Sequence, residues 1–251
     1  MERTFESEIE LLRLGAGDTF RGEGILAITK GLLQSGVSYV GGYQGAPVSH
    51  LLDVLVSAKD LMGEMEIHAE SCANEPSAAA MLAASINYPV RGTVTWKSIV
   101  GTNVASDALS NLASTGVTGG ALVVIGEDFS EGASVIQERT YAYAMKSALL
   151  PVDPRPPNLT SMVDMVEHAF ALSEASHMPA MMQLRIRACH VQGEFAARDN
   201  TVPDHGTNTK FKDPAEFFYP RLAHPPVIYS QEADKVADRI PAARTYIRDT
   251  S

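Results

Sequence analysis

Two carboxylates, a histidine and a cysteine lie within one short stretch of Ile67–Ala84, IHAESCANEPSAAAMLAA: His68, Glu70, Cys72 and Glu75. Glu75 stands where a strand end turns into a small-residue helix. Asn74 is a good N-cap, and Pro76 fits a first turn in which no amide partner is lost. The alanines that follow allow a neighbouring backbone or a flat ligand to come close. A carboxylate in such a place is costly unless it is paired or protonated, which suits proton transfer. The same residue also satisfies a plainer need, a first-turn Glu favouring the helix dipole.

Other chemistries compete with it. In a strand, His68, Glu70 and Cys72 would share one face and could hold a metal. His-x-Glu opens the zinc deaminase signature, but no Pro-Cys-x-x-Cys follows, and His50, His168, His177 and His190 show no HExxH spacing. A Cys72–His68 nucleophile pair lacks any family context, there is no GxSxG elbow, and free cysteine is usually a small buried hydrophobe. The glycine-rich segments GDTFRGEG (17–24) and GGYQGAP (41–47) fit neither GxxxxGK[ST] nor GxGxxG. Amides after Gly45 could still meet an anion, or the segment could be a turn that needs small residues.

The elements that must position these residues alternate. Apolar spacing predicts helices over 22–34, after Pro47, from Glu75, over 103–114, over 134–149 and over 161–176. Strands are predicted at 38–43, 64–70, 90–96, 119–128 and 179–189; the apolar run Ala121–Ile125 is what a buried parallel strand requires. Prolines at 151–158 break the chain between helices. Five strands alternating with helices give an α/β fold, a mostly parallel sheet covered by helices on both faces. Ligands in such sheets sit beyond the carboxyl ends of the strands, so loops 41–47, 71–75, 97–103 and 127–134 should converge at one edge. The domain is expected to span 1–192. From 193 to 251 the chain turns polar and should form an extended arm or linker, with short helices before and after Pro241. Nothing closes it off as a finished domain, which points to truncation or a partner chain.

Composition narrows the function. With 251 residues, 45% of them apolar, the chain can bury a large core. A formal charge of −10 argues against a nucleic-acid surface. Two cysteines without a CxxC suggest neither an iron–sulfur site nor a disulfide framework. No apolar run is long enough to span a membrane, and the charged N-terminus lacks a signal-peptide core, so a cytoplasmic protein is expected.

The segments GYQGAP, ANEPSAAAMLAAS, TVTWKSIVGTNVASDALSNLASTGVTGGALVVIGED and SVIQERTYAYA, in that order, resemble the pyrimidine-binding domain of thiamine-diphosphate-dependent 2-oxoacid:ferredoxin oxidoreductases, and among these the alpha subunit of indolepyruvate:ferredoxin oxidoreductase. The resemblance covers about residues 20–190, and the NVASD…TGV.GG block is its most specific part.

The resemblance implies a decarboxylation and one-electron oxidation of a 2-oxoacid, an aryl one in the nearest relatives. An acidic residue would hydrogen-bond N1′ of the cofactor's aminopyrimidine. The family's Asn-Glu pair falls on Asn74–Glu75, which selects Glu75 over Glu70. Gly45, Ala46, Asn74 and Asn103 would line the cofactor, Asn103 rather than Thr102 because Lys97–Asn103 carries one residue more than the usual spacing. Gln44 and, by a looser match, Arg139 would meet the substrate. Ala46 stands where a hydroxyl residue is common and Gln44 where proline is usual; these departures leave open a structural subunit that keeps only the fold. A non-oxidative thiamine-diphosphate decarboxylase is the other enzyme reading. No GDG with a following Asn is present, so magnesium and the diphosphate half are expected on a partner domain or subunit, and iron–sulfur clusters on an electron-transfer subunit.

Overall fold

The computed structural model describes residues 4–129, 132, 136, 137, 139–155, 157–209 and 219–250. Eight strands are present among them: β1 Thr19–Glu23, β2 Tyr39–Gly42, β3 His68–Ser71, β4 Gly92–Lys97, β5 Ala121–Glu127, β6 Leu150–Val152, β7 Ala180–Arg185 and β8 Gln192–Ala196. Six of them form an all-parallel sheet in the order β3-β2-β4-β5-β7-β6, and β1 pairs with β8 in a separate antiparallel ribbon. The α/β sheet read from periodicity is present, and the carboxyl ends of β2, β3, β4 and β5 do lie along one edge.

Side-chain alternation explains why both faces are covered. Leu122 and Val124 point with Val40, Met182 and Leu184 into a core shared with the helices Gly24–Gln34, Ser49–Ser57 and Leu159–Ser176. Ala121, Val123 and Ile125 point with Val94, Trp96 and Met181 into the opposite core, closed by the helices Glu75–Met81 and Ser106–Thr115. A strand buried on both faces must be apolar throughout, and β5 is.

Several boundaries differ from expectation. The strand expected at 179–189 ends at Arg185 and gives way to the short helix Ile186–His190. The helix expected over 103–114 is two helices, Val100–Val104 and Ser106–Thr115. Of the segment 134–149, the helix Thr140–Ser147 is described; residues 134, 135 and 138 lie outside the described residues. Strand β6 hides inside the proline cluster, since a three-residue edge strand tolerates Pro151, whose missing N–H costs an edge nothing. The segment 17–24, a candidate phosphate loop, instead forms a turn and β1.

Beyond β7 the chain is tied to the body. After β8 it runs without helix or strand over 197–209, and Asn200 donates to Leu12 O (3.0 Å) while Thr201 Oγ1 donates to Gln34 O (2.9 Å). The helices at the end are one continuous rod: Val227–Asp234 runs through a π turn at Lys235–Arg239 into Ile240–Thr250. The wider turn accommodates Pro241, which cannot donate and would crowd an α carbonyl. From that turn Arg239 donates to Ala113 O (3.3 Å) and Ser114 O (2.9 Å), satisfying carbonyls the helix Ser106–Thr115 leaves open at its end. No described helix is long and apolar enough to cross a membrane.

Lys30 is fully buried in the helix Gly24–Gln34 and donates to Leu12 O, Leu14 O and Asn200 Oδ1, joining the N-terminal segment to the arm. Burial pulls its pKa from 10.5 down to about 8, against the pull of Asp199 and Asp18. Between those two values the unfolded chain binds the proton that the folded chain has released, so stability rises with pH across that window. The three acceptor oxygens offset part of the cost, leaving a rise of roughly 1–3 kcal/mol. Urea unfolding between pH 7.5 and 10.5 should show this rise in the wild type relative to Lys30→Met; parallel pH profiles would contradict it.

Candidate functional site

The crossover from β2 runs to β3 on one side, and that from β4 runs to β5 on the other. Between β2 and β4 the connections part, and this is where an open parallel sheet forms a ligand crevice. Tight backbone fixes its walls. The loop after β2 folds over the end of β4, so that a Cβ at Gly45 would lie 2.5 Å from Lys97 Cβ and 2.9 Å from Lys97 N. Pro47, after a cis Ala46–Pro47 bond, packs against Gly126. Gly45 is half-buried and Ala46 is exposed at the rim.

Glu75 opens its helix beside this crevice. Asn74 caps the helix, its Oδ1 accepting from Ser77 N at 2.9 Å, and Pro76 occupies the first turn, as the sequence predicts. The residue is only 8% exposed. Its carboxylate nevertheless makes no hydrogen bond or ion pair among the described residues and is not sealed from solvent. Gly101 lies against its stem: a Cβ there would come within 2.9 Å of Glu75 Cγ and would collide with the Trp96 ring. Trp96 is fully buried and donates from Nε1 to Thr102 Oγ1 at 3.1 Å, which commits Thr102 to the core and leaves Asn103 exposed.

The turn before Asn103 is strained. Ile99 takes φ 38° with a β-branched side chain, in a three-residue turn that Val100 N closes onto Ser98 O at 2.9 Å. Three contacts hold it. Ser98 N donates to Gly126 O (2.7 Å), the Ser98 and Thr140 hydroxyls pair at 2.8 Å, and Tyr143 OH donates to Asn103 Oδ1. Lys97 reaches Asp128 Oδ2 at 2.8 Å with Asp128 almost wholly buried, so the loops after β4 and β5 are fastened together.

The predicted residues fall into two groups. Gly45, Ala46, Asn74, Glu75 and Asn103 all belong to the loops and helix starts after β2, β3 and β4. Gln44 and Arg139 are not brought together: Gln44 Nε2 donates to Asp53 Oδ1 (2.9 Å), whereas Arg139 lines a cavity at the ends of β5 and β7. Trp96, Gly101, Tyr143 and the Lys97–Asp128 pair were missed. Gly101, one residue into a helix and two after a strained turn, was the only one with a readable signal.

The competing chemistries fare poorly. His68 Nε2 and Glu70 Oε2 pair at 2.8 Å on the edge strand β3, half-exposed, and no group of three or more metal-ligating side chains is found among the described residues. Burial pushes the Cys72 thiol above its ordinary value, the reverse of what a nucleophile needs. Cys189 is pushed up to about 12 by burial.

Comparison with known proteins gives consistent matches. Indolepyruvate oxidoreductase subunit IorA of Methanothermobacter marburgensis is 32% identical over 188 residues, 75% of this chain and 29% of that one. The chain resembles part of an IorA subunit. The corresponding subunits of Methanothermobacter thermautotrophicus (29% over 231 residues, 91% of this chain and 36% of that one) and Archaeoglobus fulgidus (32% over 168 residues, 66% and 26%) match similarly. The chain therefore spans about a third of the length of these curated relatives. No family model matches it. Among solved structures, a 2-oxoglutarate:ferredoxin oxidoreductase from Magnetococcus marinus, with 2-oxoglutarate, coenzyme A and succinyl-CoA bound, shares the fold. Its TM-score is 0.68 at 11% identity, covering 92% of this chain and 45% of that one.

Because Gly101 separates Glu75 from Trp96 with no room for a methyl group, Gly101→Ala should shift both. Overpacking of this kind costs about 1–3 kcal/mol. The chain has one tryptophan, so its fluorescence reports the site directly. A lowered unfolding midpoint with altered Trp96 emission is expected; wild-type values for both would contradict the packing described.

Proposed function

We propose that this chain is the pyrimidine-binding half of a thiamine-diphosphate-dependent 2-oxoacid oxidoreductase. The observation that carries the proposal is Glu75: a buried stem at the switch point of the sheet, with a carboxylate that no described protein group satisfies. Fit to the cofactor follows from the same features. A flat aminopyrimidine needs a hydrogen-bonding partner at one edge, which Glu75 offers, and a closely packed wall that keeps that partner in place, which Gly45 against Lys97 and Gly101 against Trp96 provide. When bound, thiamine diphosphate supplies a carbanion centre at C2 and the electron sink for decarboxylation.

The chain's own residues would act as follows. Glu75 would hold or share a proton at N1′. Asn74 fixes the first helical turn, and with it the direction of Glu75. Gly45, packed on Lys97, and the exposed Ala46 would form the β2 side of the ring's site, and Asn103, oriented by Tyr143, would offer a polar contact from the β4 side. Arg139, at the cavity beyond β5 and β7, would meet a substrate carboxylate only if the substrate extends from the crevice to that side, while Gln44 is engaged by Asp53. The substrate would be a 2-oxoacid, an arylpyruvate by likeness to the named relatives. Magnesium, the diphosphate contacts and iron–sulfur clusters would belong to a diphosphate-binding domain or subunit and an electron-transfer subunit, in a cytoplasmic complex.

Purified as its native complex, the Glu75→Gln variant should lose about 10²–10⁴-fold in the rate of 2-oxoacid oxidation, read as reduction of an artificial electron acceptor. Unchanged oxidation would refute the role of Glu75.

A further inference from the structure

The rod formed by Val227–Asp234, Lys235–Arg239 and Ile240–Thr250 is held to the body by one face. Val227, Gln231, Lys235, Arg239 and Ala243, four residues apart, are buried along it. From that face Gln231 Nε2 donates to Leu222 O (2.7 Å), Arg239 donates to Ser114 O, and Tyr246 OH pairs with His168 Nδ1 at 3.1 Å. The other face is apolar and bare. Tyr229 is 79% and Val236 70% exposed, with exposed Ala233 between them and half-buried Ile240 beyond. Spacings of four, three and four residues are those of a coiled-coil seam. We propose that a second copy of this chain covers this face, the two rods packing antiparallel about a two-fold axis.

Charge selects this partner and its direction. Before Ile240 the exposed charged side chains of the rod are Glu232, Asp234 and Asp238, all acidic; after it they are Arg244 and Arg248, with Asp249. The cations of the first half, Lys235 and Arg239, are buried on the inner face. Glu232 is held by Lys235 (2.7 Å) and Arg248 by its neighbour Asp249 (3.0 Å). Asp234 lies in the field of Arg239 without pairing to it, and Asp234, Asp238 and Arg244 make no ion pair among the described residues. Antiparallel rods lay the acidic half of each along the basic half of the other, whereas parallel rods set like charges side by side. The rod is about 36 Å long at 1.5 Å per residue. One face of that length gives less than a standard interface of about 1,600 Å², so the pair is a weak one. A dissociation constant of about 10–100 μM is expected.

The inference does not rest on the thiamine-diphosphate reading. Sedimentation velocity on the full chain, from about 1 to 300 μM, should show monomer passing to dimer. Val236→Glu should weaken association about tenfold or more, as loss of a central apolar contact does, with an unchanged unfolding midpoint showing that the fold survives. Met145→Ser, at a side chain 74% exposed on a different helix, and Glu75→Gln should leave the dimer intact. Asp234→Arg combined with Asp238→Arg should weaken it about fivefold or more, and so should Arg244→Glu combined with Arg248→Glu. All four changes together should restore it, because each reversed charge again meets its opposite across the antiparallel seam. A parallel pair keeps like charges opposed in every variant, so failure of that restoration would overturn the arrangement. A monomer across the whole range, or a dimer indifferent to Val236→Glu, would overturn the proposal. Loss of the dimer in Met145→Ser would place the contact on the other helix and sink it equally.

Discussion

A carboxylate held against a protein wall, with no protein partner among the described residues, is the constraint around which this edge of the molecule is arranged. Glu75 is oriented by a capped helix start and pressed from behind by Gly101 and Trp96, and its carboxylate, open to solvent, has no protein partner among the described residues. The strained turn at Ile99 belongs to the same wall, and backbone strain of this kind collects at functional sites.

Rigidity around the crevice comes from links between loops rather than within them. Lys97 and Asp128 fasten the loops after β4 and β5, and Ser98, Thr140, Asn103 and Tyr143 tie the helix Thr140–Ser147 to the strained turn. The sheet beneath supplies parallel strand ends in close register, Gly42 beside Ser71 and Thr95, Lys97 beside Gly126. A binding group mounted on such ends moves little on closure, which suits hydrogen-bond geometry at a fixed ring nitrogen.

Much of this was legible in the sequence where the signal is local. The uninterrupted run Ala121–Ile125 marks a strand buried on both faces, and Asn74 with Pro76 marks a helix start, because capping and burial are decided by residues a few positions apart. Strands β1, β6 and β8 were not legible. Each is short or polar and exists because a distant segment pairs with it: Thr19–Glu23 lies antiparallel to Gln192–Ala196, more than 160 residues further along the chain. Pro241 misled in the other direction, since a π turn upstream lets the helix continue through it. At the site, the order of loops placed Glu75 and Asn103, whereas the grouping of Arg139 with Arg155, Arg185 and Arg187 depends on β6 and β7 standing side by side, which spacing along the chain does not reveal.

The most direct measurement is a crystal structure of the chain in its native complex with thiamine diphosphate bound. The account predicts the aminopyrimidine between the loops after β2 and β4, with N1′ within hydrogen-bonding distance of a Glu75 carboxylate oxygen. A pyrimidine ring seated elsewhere, or Glu75 bonded instead to a protein group across the subunit boundary, would contradict it.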